Sequence, residues 1–172
     1  MRRVLPALLA AAALTGCAAE PAPPGAPPSS GAPTTTAVRL PPDPVPVRAA
    51  NCPYLDSKSV ADANGQRVSK VEISGDQPHP SCFFYALTGK LQLTVRVYTG
   101  DPAVAEALVD RAAPVDTSNP ATDPSGWQGG YATKPDGAVY AVAKDGTAVI
   151  VTTNQQQTVK ARTVARQAIA HL

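Results

Sequence analysis

Residues 51–172 predict an α+β domain in which a mainly antiparallel sheet carries packed helices in a small sandwich. Residues 91–98 alternate between apolar and polar side chains, as a half-buried strand does. The pair Asp145-Gly146 separates two β-rich runs, which favours a hairpin with a type I′ turn. The pair Asp101-Pro102 opens a run with helical spacing, so helices interrupt the strands.

The first half of the domain is predicted to begin with a short helix. This helix starts after Asp56 as its N-cap and stops at Asn64-Gly65, because glycine tolerates the left-handed conformation. Val68 falls out of register with the alternating strand 67–74, as at a bulge. The elements that follow are a loop over 75–81, a strand over 82–87 covered on both faces, the strand 91–98 and a helix from 102 to about 113.

Strand 91–98 is predicted to have two unlike faces. Its apolar face carries Leu91, Leu93, Val95 and Val97, and its polar face carries Gln92, Thr94, Arg96 and Tyr98.

The last third is predicted to repeat the pattern of strands followed by a helix. Residues 114–126 contain three prolines and turn formers, which predicts a long surface loop. Trp127 begins a short strand, and residues 138–143 and 147–153 form the hairpin. Asn154 is expected to cap a final helix over residues 155–170.

Charge gives no reason to expect nucleic acid as a partner. Eleven Lys or Arg residues balance eleven Asp or Glu residues between 51 and 172, and the whole-chain excess of +2 comes from Arg2 and Arg3. A neutral domain does not attract phosphate backbones or an anionic membrane surface over long distances.

The first seventeen residues have the build of an export signal. Arg2 and Arg3 precede an apolar run from Val4 to Leu14, which is too short to span a membrane as a helix. The run ends in Leu14-Thr15-Gly16-Cys17, which resembles the lipobox of bacterial lipoproteins. The resemblance implies cleavage after residue 16 and a lipid anchor, including palmitate, on Cys17. The alternative is a plain secretory signal with Cys17 as an ordinary residue.

Residues 17–50 are predicted to be the lipidated cysteine followed by a disordered linker. Ten of the 33 residues from 18 to 50 are proline, and most others are small. Such a segment cannot bury enough apolar surface to offset its conformational entropy. The sequence therefore predicts a spacer between a membrane and the domain at 51–172.

Cys52 and Cys82 are predicted to form a disulfide. With Cys17 assigned to lipid, they are the two cysteines left, and exported domains fold in oxidising compartments. A metal site, the alternative, needs further ligands and a closer spacing.

A second resemblance covers most of residues 51–172. Cys-Pro-Tyr-Leu from Cys52, Cys-Phe-Phe-Tyr from Cys82, and the run ending at Tyr98 resemble an actinobacterial lipoprotein family labelled domain of unknown function 2020. Related envelope lipoproteins of the Mog1/PsbP-like kind share a similar layout. The resemblance implies a small α+β sandwich and supplies no catalytic residue.

The motifs of common enzymes are missing from the sequence, and we expect neither catalysis nor a cofactor or metal. His79, near Asp76 and Ser81, lacks a nucleophile elbow, and we interpret Asp123 as a solvated loop charge. Trp127 is the leading candidate for contact with a partner, but we favour the alternative that it begins a strand and packs into the core. Tyr98 and Arg96 are a second candidate contact.

These observations predict a monomeric, lipid-anchored lipoprotein on the extracytoplasmic face of a bacterial cell membrane. Its domain is expected to bind a protein or envelope component without catalysis. The alternative is a carrier of an apolar or lipid ligand in a cavity of the sandwich, and an unrecognised enzyme comes third.

Overall fold

The structure, a computed structural model, describes residues 38–172, and the predicted signal segment, Cys17 and most of the predicted linker lie outside them. Eight strands form one sheet in the order β1-β2-β3-β4-β8-β7-β6-β5, and every neighbouring pair is antiparallel. The strands are β1 (Arg48–Ala49), β2 (Val68–Ile73), β3 (Cys82–Ala86), β4 (Leu91–Thr99), β5 (Asn119–Asp123), β6 (Trp127–Lys134), β7 (Gly137–Lys144) and β8 (Thr147–Thr153). The helices are α1 (Ser57–Asn64), α2 (Pro102–Ala112) and α3 (Thr158–Ile169).

The helices cover both faces of the sheet, which confirms the predicted α+β class. On one face, α3 packs against β7 and β8 and also contacts α1, and on the other face α2 packs against the same two strands. β7 and β8 are therefore buried on both faces, and their sequences are apolar at nearly every position. None of the helices in the described chain is both long and apolar enough to cross a membrane.

Local capping signals place α1, α2 and the β7–β8 turn where the sequence predicts them. The Asp56 carboxylate accepts hydrogen bonds from the first turn of α1, and Gly65 ends that helix in the left-handed conformation. Asp101 caps α2 in the same way. Asp145 and Gly146 both have positive φ, as a type I′ turn requires.

The predicted loop over 114–126 is wrong, because it contains the edge strand β5. Pro120 lies within β5, and the strand pairs with β6 from Asn119–Tyr131 to Asp123–Trp127. Proline is compatible with an edge strand, whose outer side needs no donor. Pro120 can therefore belong to β5 because β5 is the last strand of the sheet.

The final helix begins later than predicted. α3 starts at Thr158 with Gln157 as its N-cap, and Gln157 makes no side-chain capping bond. Asn154 instead follows β8, where its amide exchanges hydrogen bonds with Gln66.

A bulge in β4 turns the Gln92 side chain towards the core. The alternation of this strand predicts Gln92 on the polar face, and that prediction is wrong. Tyr85 pairs with Leu91 and Phe84 pairs with Leu93, so Gln92 is an extra residue in the ladder. Gln92 is 1% exposed and accepts a hydrogen bond from Asn64, while Leu91, predicted on the apolar face, is 45% exposed.

Residues 38–49, which we call the strap, are ordered against the domain although the sequence predicts a disordered linker up to Ala50. β1 pairs with β2, and Leu40 packs into the core beneath α2. The Pro42 carbonyl accepts a hydrogen bond from Arg96. The strap therefore belongs to the folded domain, and the predicted boundary at residue 51 is wrong for the described residues.

The predicted disulfide is confirmed. Cys52 and Cys82 are bonded across 30 residues of chain, with Cα atoms 5.6 Å apart. Cys82 is the first residue of β3 and is fully buried, so the bond joins the segment before α1 to an inner strand of the sheet.

Candidate functional site

Trp127 lies in the core rather than on the surface. Its side chain is 9% exposed and belongs to the apolar cluster beneath α3 and α1. This position supports the core-packing interpretation. The exposed neighbours Gly126 and Gln128 line a groove, described below, on the other face.

Arg96 and Tyr98 are covered by the strap. The Arg96 guanidinium donates to the Asp43 carboxylate at 3.2 Å and to the Pro42 carbonyl at 2.9 Å, and the residue is 9% exposed. Tyr98 is half-buried beside Leu40, and its hydroxyl accepts from the Asp101 N–H. Both residues hold the chain's own N-terminal segment, which leaves little surface for a partner.

His79 is not assembled into a triad. Its ring contacts Tyr54 edge-on, with centroids 6.3 Å apart. Ser81 Oγ donates to Asp76 at 3.2 Å, and Ser74 Oγ donates to the same carboxylate oxygen. These bonds close the loop between β2 and β3. No group of three His, Cys, Asp or Glu side chains suited to a metal ion occurs in residues 38–172.

The structure brings together a buried carboxylate that the sequence interpretation placed in solvent. Asp123, at the end of β5, has a side chain that is 3% exposed. One of its oxygens accepts from the Tyr140 hydroxyl and the other from Arg166 Nε. Arg162 Nη2 lies 3.9 Å from the oxygen that Arg166 binds. The carboxylate is thus fully engaged by donors, and its negative charge is compensated.

Burial and the hydrogen bond to Asp123 raise the pKa of Tyr140 far above its ordinary value. The phenol therefore stays protonated and acts as a donor at neutral pH. Its ring stacks on Tyr131 with centroids 6.4 Å apart.

An open depression beside this cluster, which we call the α3-side pocket, has a volume of about 270 Å³. Its lining residues are Pro120, Ala121, Thr122, Tyr131, Tyr140, Thr158, Val159 and Arg162. Arg162 is the one charged residue among them, and 44% of its side chain is exposed. Because Asp123 is already bound by Tyr140 and Arg166, the pocket presents an incompletely neutralised cation next to two aromatic rings. It suits an acidic group.

A larger depression on the other face, which we call the α2-side groove, has a volume of about 800 Å³. It runs between α2 and the strands β5 and β6. Small and apolar side chains form much of its lining, including those of Ala105, Val109 and Ala113. Gly129 forms part of it at a point where a Cβ atom would lie 2.1 Å from the Ala141 carbonyl. Glycine is therefore needed for β6 to pass this close to its neighbours.

The sequence interpretation missed the residues around Asp123 because their proximity is long-range. Tyr140 lies 17 residues from Asp123 and Arg166 lies 43 residues from it. Arg162 and Arg166 are four residues apart and thus on one side of α3, but a solvent face has the same spacing. No local pattern distinguishes a buried Asp of this kind from a loop Asp.

The fold and its two surface depressions define a disulfide-bonded α+β domain with open sites on both faces of one sheet. A family model described as a domain of unknown function (DUF2020) matches residues 37–172. The chain belongs to this family, as its sequence motifs suggest. The match begins before Val38, so the family domain includes the strap. No curated protein matches the chain.

Proposed function

We propose that the protein is a bacterial lipoprotein, held to the extracytoplasmic face of the cell membrane by lipid on Cys17. Its domain then binds a protein or another envelope component without catalysing a reaction. The apolar run and the Leu14-Thr15-Gly16-Cys17 sequence support the anchor. Two or three acyl chains on one residue make such an attachment effectively permanent.

The disulfide between Cys52 and Cys82 supports export, because such bonds persist in oxidising compartments and are rare in the cytoplasm. The strap shortens the tether. Residues 38–49, which the sequence assigns to the linker, lie on the domain instead. The binding surface would therefore operate closer to the membrane than a linker extending to residue 50 would place it.

The observation that carries the binding role is the α2-side groove. It is open to solvent and lined mainly by small or apolar groups. Exposed apolar concavities of this kind are typical of sites for partners.

The alternative role, a carrier of an apolar or lipid ligand, is favoured by the volume of the same groove. A fluorescent fatty acid separates the two roles. A carrier would bind it saturably and lose the signal when Ala107, in the groove, is replaced by Glu. A partner-binding domain would show neither effect.

Mass spectrometry of the protein extracted from bacterial membranes tests the anchor. The mature N-terminal peptide should begin at Cys17 and carry the mass of a diacylglycerol group. A Cys17→Ala variant should be released from the membrane. An unmodified Cys17 thiol in the membrane fraction would disprove the anchor.

Site-specific photo-crosslinking in living cells tests the binding role. A photoreactive residue at Glu106, which is exposed and lines the groove, should yield a defined cross-linked product. The matched control is Asp62, an equally acidic and exposed residue on α1, on the opposite face. Equal products from both positions, or none from either, would contradict the proposal.

A further inference from the structure

The open side of β5 has a depression on each face of the sheet. β5 ends the strand order, and in residues 38–172 no strand pairs with its outer side. Residues 120–122 line both the α3-side pocket and the α2-side groove. α3 and α2 pack on different cores, so the two depressions lie on opposite faces of the sheet.

The backbone of β5 leaves groups free for a further strand. Pro120 has no N–H and fits an edge strand with its nitrogen on the open side. Backbone groups in an antiparallel strand point alternately to the two neighbours, so Thr122 shares the open side with Pro120. The edge therefore offers the N–H and C=O of Thr122 and the C=O of Pro120.

An extended peptide at this edge would send successive side chains to opposite faces. One side chain would enter the α3-side pocket and its neighbour would enter the α2-side groove. A short edge that contains proline discourages unselective pairing, because it provides few backbone bonds. A partner must gain the rest of its affinity from the two depressions, which makes the edge selective.

The charges of the two depressions differ, and this difference indicates which side chains a partner would place in each of them. Arg162 is the one charged side chain lining the α3-side pocket, and it attracts an acidic group. The groove carries three acidic residues and one lysine at its rim, above an apolar floor: Glu106, Asp110, Asp145 and Lys144. This rim disfavours an acidic side chain, and the floor favours an apolar one.

We infer that the β5 edge binds an extended segment of another polypeptide, which adds to the sheet as a further strand. An acidic residue of this segment enters the α3-side pocket, and the adjacent apolar residue enters the α2-side groove. This mode of recognition is β-strand addition, in which backbone bonds give affinity and pockets for alternate side chains give specificity. The inference rests on the proposed binding role and specifies its site and partner class.

Fluorescence anisotropy with a labelled peptide tests the inference. The probe is Gly-Ser-Val-Glu-Val-Glu-Val-Ser, which places glutamate on one face and valine on the other, and the protein is the exported full chain with Cys17→Ser. We expect saturable binding with a Kd below about 1 mM. Binding should weaken at least about tenfold when lysine replaces glutamate in the peptide. Methylation of alternate peptide nitrogens on the pairing side should abolish binding.

Variants of the protein test the site. Arg162→Glu should weaken binding at least about tenfold, and Lys90→Glu, the same charge change on an exposed hairpin, should leave binding unchanged. Thr122→Pro should abolish binding by removing the free N–H, whereas Thr122→Val should retain it. Because the N-methylated peptides test the same bond, a Thr122→Pro chain that failed to fold would leave the test intact.

Several results would overturn the inference. These are the absence of peptide binding at millimolar protein, binding that N-methylation does not change, and equal binding by the Arg162→Glu variant. Dimers that form with rising concentration and disappear with Thr122→Pro would show a second copy at the edge instead. A partner cross-linked at Glu106 without any peptide binding would overturn this inference alone and leave the proposed function standing.

Discussion

Arg96 donates a hydrogen bond to Asp43, which lies 53 residues earlier, across a distance of 3.2 Å. Arg111 of α2 binds the same carboxylate oxygen at 2.6 Å. One exposed acid thus joins the strap to the central strand β4 and to the helix that packs on the sheet. Burial and the charge of Arg111 lower the pKa of Arg96, and Asp43 opposes that effect. The strap is therefore part of the domain's structure.

Replacement of Arg96 by Met should release the strap. The Pro42 carbonyl and Asp43 would lose their buried donor, and we expect the free energy of unfolding to fall by about 1–3 kcal/mol. Hydrogen exchange should accelerate over residues 38–49 before it changes elsewhere. Arg39→Met, an exposed arginine within the strap, is the control and should change neither measurement. Unchanged exchange in the strap of Arg96→Met would show that β1 pairing alone holds it.

Removal of the disulfide should cost more than any surface change. For a loop of 30 residues the chain-entropy model gives roughly 3.5 kcal/mol of stabilisation, so Cys52→Ala with Cys82→Ala should lower the free energy of unfolding by about that amount. Urea denaturation measures the loss. The control, Cys17→Ser in the same chain, should unfold with the wild-type midpoint. A double variant as stable as the wild type would contradict a stabilising role for the bond.

The parts of the fold that depend on local signals could be predicted from the sequence. Asp56, Asp101 and the pair Asp145-Gly146 act on neighbouring residues, and each capped helix or turn lies where the sequence indicates it. β5 was missed because its identity depends on pairing with β6, and Pro120 resembles a loop signal when it is considered without that partner.

The candidate site could not be predicted for the same reason. The Asp123 carboxylate accepts hydrogen bonds from Tyr140 and Arg166, which are distant in sequence. No residue near Asp123 in the sequence indicates these partners. Arg96 lies on the polar face of β4, as expected, but the segment that covers it resembles a linker because it is rich in proline. Composition can exclude a large core, yet it cannot exclude a short segment that packs on a core formed by other residues.

Tyr140→Phe should be distinctly destabilising. The Asp123 carboxylate, whose side chain is 3% exposed, would lose a donor, and we expect a loss of about 1–3 kcal/mol in the free energy of unfolding. Tyr131→Phe removes the same atom from the stacked neighbour, whose hydroxyl makes no hydrogen bond within residues 38–172, and the variant should stay within about 0.5 kcal/mol of wild type. Urea denaturation measures both losses. Equal losses from the two changes would show that the hydrogen bond to Asp123 adds no stability beyond that of the Tyr131 hydroxyl.

Stability should fall as pH rises above about 10. Burial, with a smaller effect of the Asp76 charge, raises the pKa of Tyr54, and burial with the bond to Asp123 raises that of Tyr140, both from an ordinary value of 10.0. Above pH 10 the unfolded chain releases these protons while the folded chain keeps them. The unfolded state then binds fewer protons, so the free energy of unfolding decreases with pH.

Each of the two tyrosines can contribute a slope of at most about 1.4 kcal/mol per pH unit. Urea denaturation between pH 8 and pH 11 measures this slope, which should be flat at first and should steepen beyond pH 10. In Tyr54→Phe the free energy of unfolding should fall less steeply with pH above pH 10. The variant also loses the hydrogen bond to the Pro80 carbonyl, which lowers its stability at every pH below that range. An identical slope in the variant and the wild type would contradict the assignment to Tyr54.

Gly129→Ala should destabilise the protein and change the shape of the α2-side groove. A Cβ atom at this position would lie 2.1 Å from the Ala141 carbonyl oxygen of β7 and 2.9 Å from Val109 Cγ1 of α2. The contact with the Ala141 carbonyl cannot be relieved by a side chain, so β6 must shift away from β7, and the Val109 side chain must also move. We expect a loss of at least about 1–3 kcal/mol, as for overpacked cores.

The control for this change is Gly75→Ala, because a Cβ atom there meets nothing within 4 Å and the backbone needs no left-handed conformation. Differential scanning calorimetry should show a lower midpoint for Gly129→Ala and an unchanged one for Gly75→Ala. Cross-linking from Glu106 should also weaken in folded Gly129→Ala, because the groove that it lines is bounded by α2 and β6. A Gly129→Ala chain with wild-type stability and cross-linking would show that the groove walls can separate at little cost.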